Sequence, residues 1–308
     1  MINRDRLAAL RKIEDERFLA LHPKSGEMFK AGQKNMPGGV PMSWMAKWPG
    51  AYPVFVENAK GARFTDVDGN TYIDFCLGDT GSMTGHSPAA TVAAITEQMK
   101  HGFTSMLPTE DAVIVSQELA GRFGLPLWQF TVTATDANRH TIRYCRLITG
   151  KAKIIVIDKC YHGSVDETFA TLDEAGNTVK REGNLGAPVD LAVTTRVVEF
   201  NDLAGMEAAL AHGDVAAILM EPAMTNVGIV LPDEGYLITV QDLAKKYGAL
   251  LIIDETHTIS VGPGGMTLDL GLKPDFLTIG KAIAGGIPVG TFGMTEEVAN
   301  SIKKLVEL

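Results

Sequence analysis

Lys281 stands in DFLTIGKAIAGGIPVG, residues 275–290, between Phe276, Leu277 and Ile279 on one side and Ala282, Ala284, Gly285 and Gly286 on the other. Desolvating an ammonium group is costly, so lysine is rarely buried. A strand-end lysine ordinarily snorkels to water; the alternative is an amine nucleophile held in a closed site. A second apolar run, ALLIIDE, ends in Asp254. A carboxylate at the carboxyl end of a buried parallel strand sits where open α/β sheets bind ligands, and it needs a positive partner there. TATDAN, residues 133–138, opens a helix whose N–H groups favour a phosphate, with Thr135 adding a hydroxyl; ordinary capping by Thr or Asp is the plainer reading. In CYHG, residues 160–163, Tyr161 can lie flat over an aromatic ligand and His162 can hydrogen-bond or titrate beside it. MEPAMTNVG places Glu221 at a strand end and Asn226 beyond it. Taken together, successive strand ends offer a phosphate turn, an aromatic shelf, carboxylates and a lysine. That set suits a planar, phosphorylated aromatic cofactor bound to the lysine.

The elements that must position these residues follow from periodicity. Residues 3–32 read as helix interrupted near His22-Pro23, with Leu7, Leu10, Ile13, Phe18 and Leu21 as an amphipathic stripe. A Gly/Pro-rich loop holding Trp44 and Trp48 precedes a β-meander, PVFVENAKGARFTDVDGNTYIDF, with turn residues Lys60-Gly61 and Asp68-Gly69. PAATVAAITEQMKHG and TEDAVIVSQELAGRFG read as helices. From Phe130 onward strands alternate with helices: QFTVTA, KIIVIDK, LAVTTRVVEF, VAAILMEP, ALLIIDE, FLTIGK and VGTFGMT are the strands. Apolar strands separated by helices indicate a mostly parallel sheet of seven strands sandwiched by helices, an α/β fold.

The 308 residues suffice for one large domain or two ordinary ones, and 45 % hydrophobic with 21 % charged residues is a globular composition. A net charge of −9 without a basic run argues against nucleic acid or an anionic membrane as partner. Cys76, Cys145 and Cys160 have no metal-ligand spacing, so no metal is expected, and their sparse, odd number suggests a reducing compartment. With no signal-peptide core and no apolar run of spanning length, a cytoplasmic location is the default expectation.

YHG, EP…N.G, IIDE and GKAIAGGIPVG, in this order, resemble the class III aminotransferases of pyridoxal-phosphate fold type I, nearest the glutamate-1-semialdehyde aminomutase and β- and ω-amino acid transaminase branch. The resemblance spans roughly residues 36–294 and includes PGGV, DVDGNTYIDF and GHSP. It implies pyridoxal 5′-phosphate as cofactor, Lys281 as the Schiff-base lysine and Asp254 as partner of the pyridinium nitrogen. It implies Tyr161 stacked on the ring with His162 beside it, Ala134 and Thr135 at the phosphate, and Asn226 near the ring hydroxyl. Three departures stand out. The phosphate turn reads TATDA where the family has SGTEA, and Ala134 would be strained if its φ were positive. Thr256-His257-Thr258 follow IIDE where the family continues with Val. The sequence stops at Leu308, whereas members of the family run on for a further domain.

On this reading residues 1–75 are an N-terminal helix and meander belonging to a smaller domain, 76–295 the cofactor-binding large domain, and 296–308 the start of a helix leading to an absent C-terminal domain. The expected activity is a transaminase, moving an amino group between a small-molecule amino donor and a carbonyl acceptor, in a homodimer built through the large domain. An intramolecular aminomutase and a truncated, weakly active or non-catalytic cofactor-binding homologue are the alternatives. A nucleotide-dependent doubly wound enzyme is disfavoured, because no G-x-G-x-x-G follows an early strand. No arginine follows PGGV to hold a substrate carboxylate; Lys47 is the nearest cation, without the bidentate fork.

Overall fold

Pro23 sets the first boundary. Helix α1 (Arg4–Leu21) ends before it, and α2 (Pro23–Gly32) begins with it, at the position where a missing N–H is harmless. Asn3 caps α1, its side chain accepting from Arg6 N at 2.9 Å. The computed structural model describes residues 3–104, 106–187 and 189–306. They fall into two compact units, Met1–Lys100 and His101–Leu308.

In the first unit, strands β1 (Val56–Lys60), β2 (Arg63–Asp66) and β3 (Thr71–Ile73) form the expected antiparallel meander, followed by α3 (Ala89–Met99). Buried Asp66 accepts from the Tyr72 hydroxyl at 2.9 Å and from Asn70 N at 2.8 Å, closing the β2–β3 turn. No residue of α1 is buried, and Leu7, Leu10, Ile13 and Leu21 of its stripe are exposed.

The second unit begins with α4 (Glu110–Phe123), stopped by Gly124 in the left-handed conformation. Strand β4 (Leu127–Thr131) leads into α5 (Ala134–Thr149), and β5 (Lys153–Ile157) follows. A short hairpin, β6 (Ala170–Leu172) and β7 (Thr178–Lys180), precedes β8 (Thr195–Val198). The run LAVTTRVVEF is strand only in its second half, because Asp190 accepts from Ala192 N and winds residues 191–193 into a turn. Then come α6 (Leu203–Leu210), β9 (Val215–Met220), α7 (Tyr236–Tyr247) and β10 (Leu250–Asp254). The last elements are α8 (Gly265–Asp269), β11 (Phe276–Ile279), β12 (Gly290–Met294) and α9 (Glu296–Val306).

Seven strands form one sheet in the order β4-β12-β11-β10-β9-β5-β8. Strand β12 is antiparallel to both neighbours, and the pairs from β11 to β8 are parallel. Every residue of β9, β11 and β12 is buried, as helices on both faces require. Helix α9 packs on α5 and buries Val298, Ala299 and Ile302, whereas Leu305 and Val306 are exposed; Glu307 and Leu308 lie outside the described residues. No helix among the described residues is long and apolar enough to cross a membrane.

Candidate active site

Strands β4, β5, β9, β10 and β11 run in the same direction, so their carboxyl ends line one edge of the sheet. The residues that leave that edge are the ones singled out by the sequence. Thr133 to Thr135 follow β4, Tyr161 and His162 follow β5, Glu221 follows β9, Asp254 ends β10, and Lys281 follows β11.

Asp254 is 3 % exposed and is surrounded by donors. Asn138 Nδ2 donates to its Oδ2 at 2.9 Å, Thr256 N to its Oδ1 at 3.0 Å, and His162 Nδ1 lies 2.8 Å from Oδ2. Burial alone would raise the carboxyl pKa. The hydrogen bond and charge of His162, then Thr256 and Asn138, hold it down instead, at about 2. His162 is likewise buried, which disfavours its charge, but Cys160 and Asp254 carry its pKa well above the usual histidine range. Each group thus favours charge on the other against the cost of burial, through the contact at Nδ1, while His162 Nε2 has no hydrogen-bond partner among the described residues.

Asn138 ties the cluster to two further elements. Its amide also donates to His162 O at 3.1 Å, and its Oδ1 accepts from the Thr278 hydroxyl at 2.8 Å. Thr278 pairs in register with Asp254 and lies three residues before Lys281. Neither Asn138 nor Thr278 was singled out from sequence as a site residue. The one local signal was an Asn on a helix face otherwise buried by Ala137 and Ile142.

Lys281 opens a single 3-10 turn and has φ of +46°, a region that side chains other than glycine rarely occupy. Such strain concentrates at functional positions. Its Nζ lies 2.6 Å from His257 Nε2. Gly280, just before it, has extended backbone; a Cβ there would stand 2.7 Å from Ala134 Cβ.

Ala134 is the first residue of α5, capped by Thr133, and is not among the residues with positive φ. The left-handed strain does not arise, because Ala134 is already the first helical residue of α5. Thr135 Oγ1 accepts from Ser164 N at 3.1 Å. Gly163 has φ of +80° and approaches so closely that a Cβ would fall 2.1 Å from that hydroxyl. The first turn of α5 and the Tyr161-to-Gly163 segment are thus pressed together.

Tyr161 is 43 % exposed, its ring centroid 6.4 Å from that of Phe169. Asn226 is exposed and donates to Lys159 O at 3.0 Å, so it joins the segment after β5 and not the Asp254 cluster. Glu221 is nearly buried and accepts from the Thr225 hydroxyl at 2.6 Å; burial pushes its pKa up.

The profile of the family described as Aminotransferase class-III matches residues 44–306. The chain belongs to the class III aminotransferase family. It is 34 % identical over 280 residues to a glutamate-1-semialdehyde 2,1-aminomutase of Methanothrix thermoacetophila, covering 90 % of this chain and 65 % of that protein. A crystal structure of a lysine-to-alanine variant of a glutamate-1-semialdehyde-aminomutase from Pseudomonas aeruginosa PAO1, in complex with PMP, superposes with a TM-score of 0.97. Its identity is 48 %, over 100 % of this chain and 68 % of that one. An omega-transaminase from Sphaerobacter thermophilus gives a TM-score of 0.84 at 29 % identity, covering 89 % of this chain and 64 % of that one. The chain thus spans about two-thirds of the length of these relatives.

Pyridoxal 5′-phosphate is the cofactor of the family, and the fold is its fold type I. The donor set here suits that group. A carboxylate that stays ionised while buried is the counter-charge a protonated ring nitrogen needs. The amino end of a sixteen-residue helix, with Thr135 on its first turn, suits a phosphate.

Proposed function

We propose that this chain carries the cofactor-binding machinery of a pyridoxal-phosphate transaminase, which moves an amino group between an amino acid or amine and a keto acid or aldehyde. The observation that carries the reading is the pairing of two strand ends: Asp254, buried and ionised, lies in register beside the strand that delivers Lys281.

Lys281 would hold the cofactor through Nζ, with Asp254 at the ring nitrogen and Tyr161 over the ring. Ala134 and Thr135 would meet the phosphate at the start of α5, and Asn226 would approach the ring hydroxyl. His162 would orient Asp254 and keep it charged. When bound, pyridoxal phosphate supplies an aldehyde and a ring that accepts electrons. Asp254 favours positive charge on the ring nitrogen by its own negative charge. Neutral Lys281 Nζ is a nucleophile, and the same atom takes a proton from the substrate carbon and returns it. Asn138 and Thr278 hold Asp254 and the backbone before Lys281 in mutual register.

The 48 % identity to the Pseudomonas aminomutase favours one second reading, an intramolecular aminomutase of the glutamate-1-semialdehyde type. The test is a half-reaction screen. Purified protein loaded with cofactor is mixed with α-, β- and ω-amino donors and followed by visible absorption. A donor-dependent change that Lys281→Ala abolishes supports the transaminase reading. No change with any donor would overturn it, and isomerisation of glutamate-1-semialdehyde without a second carbonyl compound would select the mutase.

A homodimer is also proposed. In HGFTSMLPTE, residues 101–110, Phe103 and Leu107 are exposed large apolar side chains that a second copy would cover; Ser105 of that segment lies outside the described residues. Light scattering that gives a monomer mass for fully active protein would exclude the dimer.

A further inference from the structure

The three residues after Asp254 and Glu255 form a polar run, Thr256-His257-Thr258. The turn that carries them is fixed at both ends. Glu255 is fully buried, and its N–H donates to Thr278 O at 2.8 Å. Its carboxylate accepts from the Thr258 hydroxyl at 2.5 Å, from Thr267 N at 2.5 Å, from Met266 N at 3.3 Å and from the Thr267 hydroxyl. Thr256 N is tied to Asp254, and the Ser260 hydroxyl donates to His257 O at 3.1 Å. The lysine side is equally constrained: Lys281 sits at φ +46° behind a glycine pressed on Ala134. The 2.6 Å approach of Lys281 Nζ to His257 Nε2 thus joins two segments whose backbones are constrained.

At that distance one nitrogen donates and the other accepts. An ammonium has donors only, so protonated Lys281 requires a bare Nε2; a neutral amine can instead accept from Nε2–H. Two protonated groups would set donors face to face.

We propose that His257 is a catalytic acid–base partner of Lys281, accepting the Nζ proton at Nε2 to leave a neutral amine and later returning it. The transfer balances simply. One N–H bond breaks at Nζ, one forms at Nε2, and the positive charge moves from the ammonium to the imidazole. The half-buried ring can then exchange that proton with water. The proposal rests on the reading of Lys281 as the reacting amine.

The test uses the purified full chain without cofactor. Trinitrobenzenesulfonate reacts with neutral amines, and peptide mass spectrometry gives the rate at Lys281 relative to exposed Lys303. His257→Gln keeps a hydrogen-bonding group but cannot carry the proton; it should slow labelling of Lys281 by at least about tenfold. His257→Ala should be slowed as well and recover when imidazole is added. Cofactor-loaded His257→Gln should lose half-reaction rate by about a hundredfold. Labelling of His257→Gln at the wild-type rate, or no recovery of His257→Ala with imidazole, would overturn the role of His257. Lys281→Ala separates the two readings. If it keeps the half-reaction, the assignment of Lys281 falls and that of His257 with it. If it abolishes the half-reaction while His257→Gln labels normally, only His257 falls.

Discussion

His162 Nδ1 lies 2.8 Å from Asp254 Oδ2, and both side chains are buried. The pair links stability to pH in two directions. Asp254 has a folded pKa of about 2, below the ordinary carboxyl value, so its contribution is present above about pH 4 and is lost as pH falls toward 2. It is on the order of 2–3 kcal/mol. The pKa of His162 is raised, so its contribution is present below about pH 6.5 and is lost as pH rises through the raised value. Urea denaturation of the wild type should therefore show its highest midpoint between these limits. His162→Gln should be destabilised there by about 3–5 kcal/mol, the cost of stranding a buried charge, with a shallower fall on the acid side. Parallel profiles for the two proteins would show that the pair is not ionic.

Asp254→Asn should leave the cofactor bound and lower turnover by about 10²–10³-fold, the loss seen when one preorganised electrostatic partner is removed. The amide keeps the contact with Asn138 but carries no charge to set against a protonated ring nitrogen. Absorption would report retention and a coupled assay the rate. Ordinary turnover in the variant would make Asp254 a structural residue.

Lys281 should be the point of cofactor attachment. Borohydride reduction of the loaded protein followed by peptide mapping should find the added mass on the peptide containing Lys281. Mass on another lysine would refute the assignment.

The strands were legible where burial on both faces makes a continuous apolar run, as in KIIVIDK, VAAILMEP and ALLIIDE. The β6–β7 hairpin was not, because three-residue strands carry too little pattern. It is organised instead by Asp173, whose Oδ1 accepts from Ala175 N and Asn177 N. That Asp254 and Lys281 stand at strand ends could be read from the apolar runs before them, whereas the roles expected of them rest on the combined pattern and the family resemblance. Asn138 could not, since its partners Asp254 and Thr278 lie 116 and 140 residues away in sequence. His257 was visible as an unusual residue after IIDE, but its meeting with Lys281 depends on how two adjacent strand ends turn.

The final prediction concerns Gly280 and Ala134. Gly280 has φ of −150°, which any residue adopts, so its glycine is required by space and not by backbone conformation. A Cβ there would lie 2.7 Å from Ala134 Cβ, closer than two methyl carbons can approach. Gly280→Ala should therefore push β11 and the start of α5 apart, at a cost of about 1–3 kcal/mol, and shift Lys281, its immediate neighbour. Ala134→Gly alone removes one methyl from the first turn of a helix, where the loss is about 0.5–1 kcal/mol at most. Combining the two vacates the space that the new methyl needs, so the double variant should be more stable than Gly280→Ala. The sign of this coupling is what a direct contact demands. Denaturation midpoints of the four proteins give the coupling, and borohydride mapping shows whether cofactor attachment at Lys281 returns with it. Additive single effects would mean that the two residues do not meet, and that something other than Ala134 keeps position 280 free of a side chain.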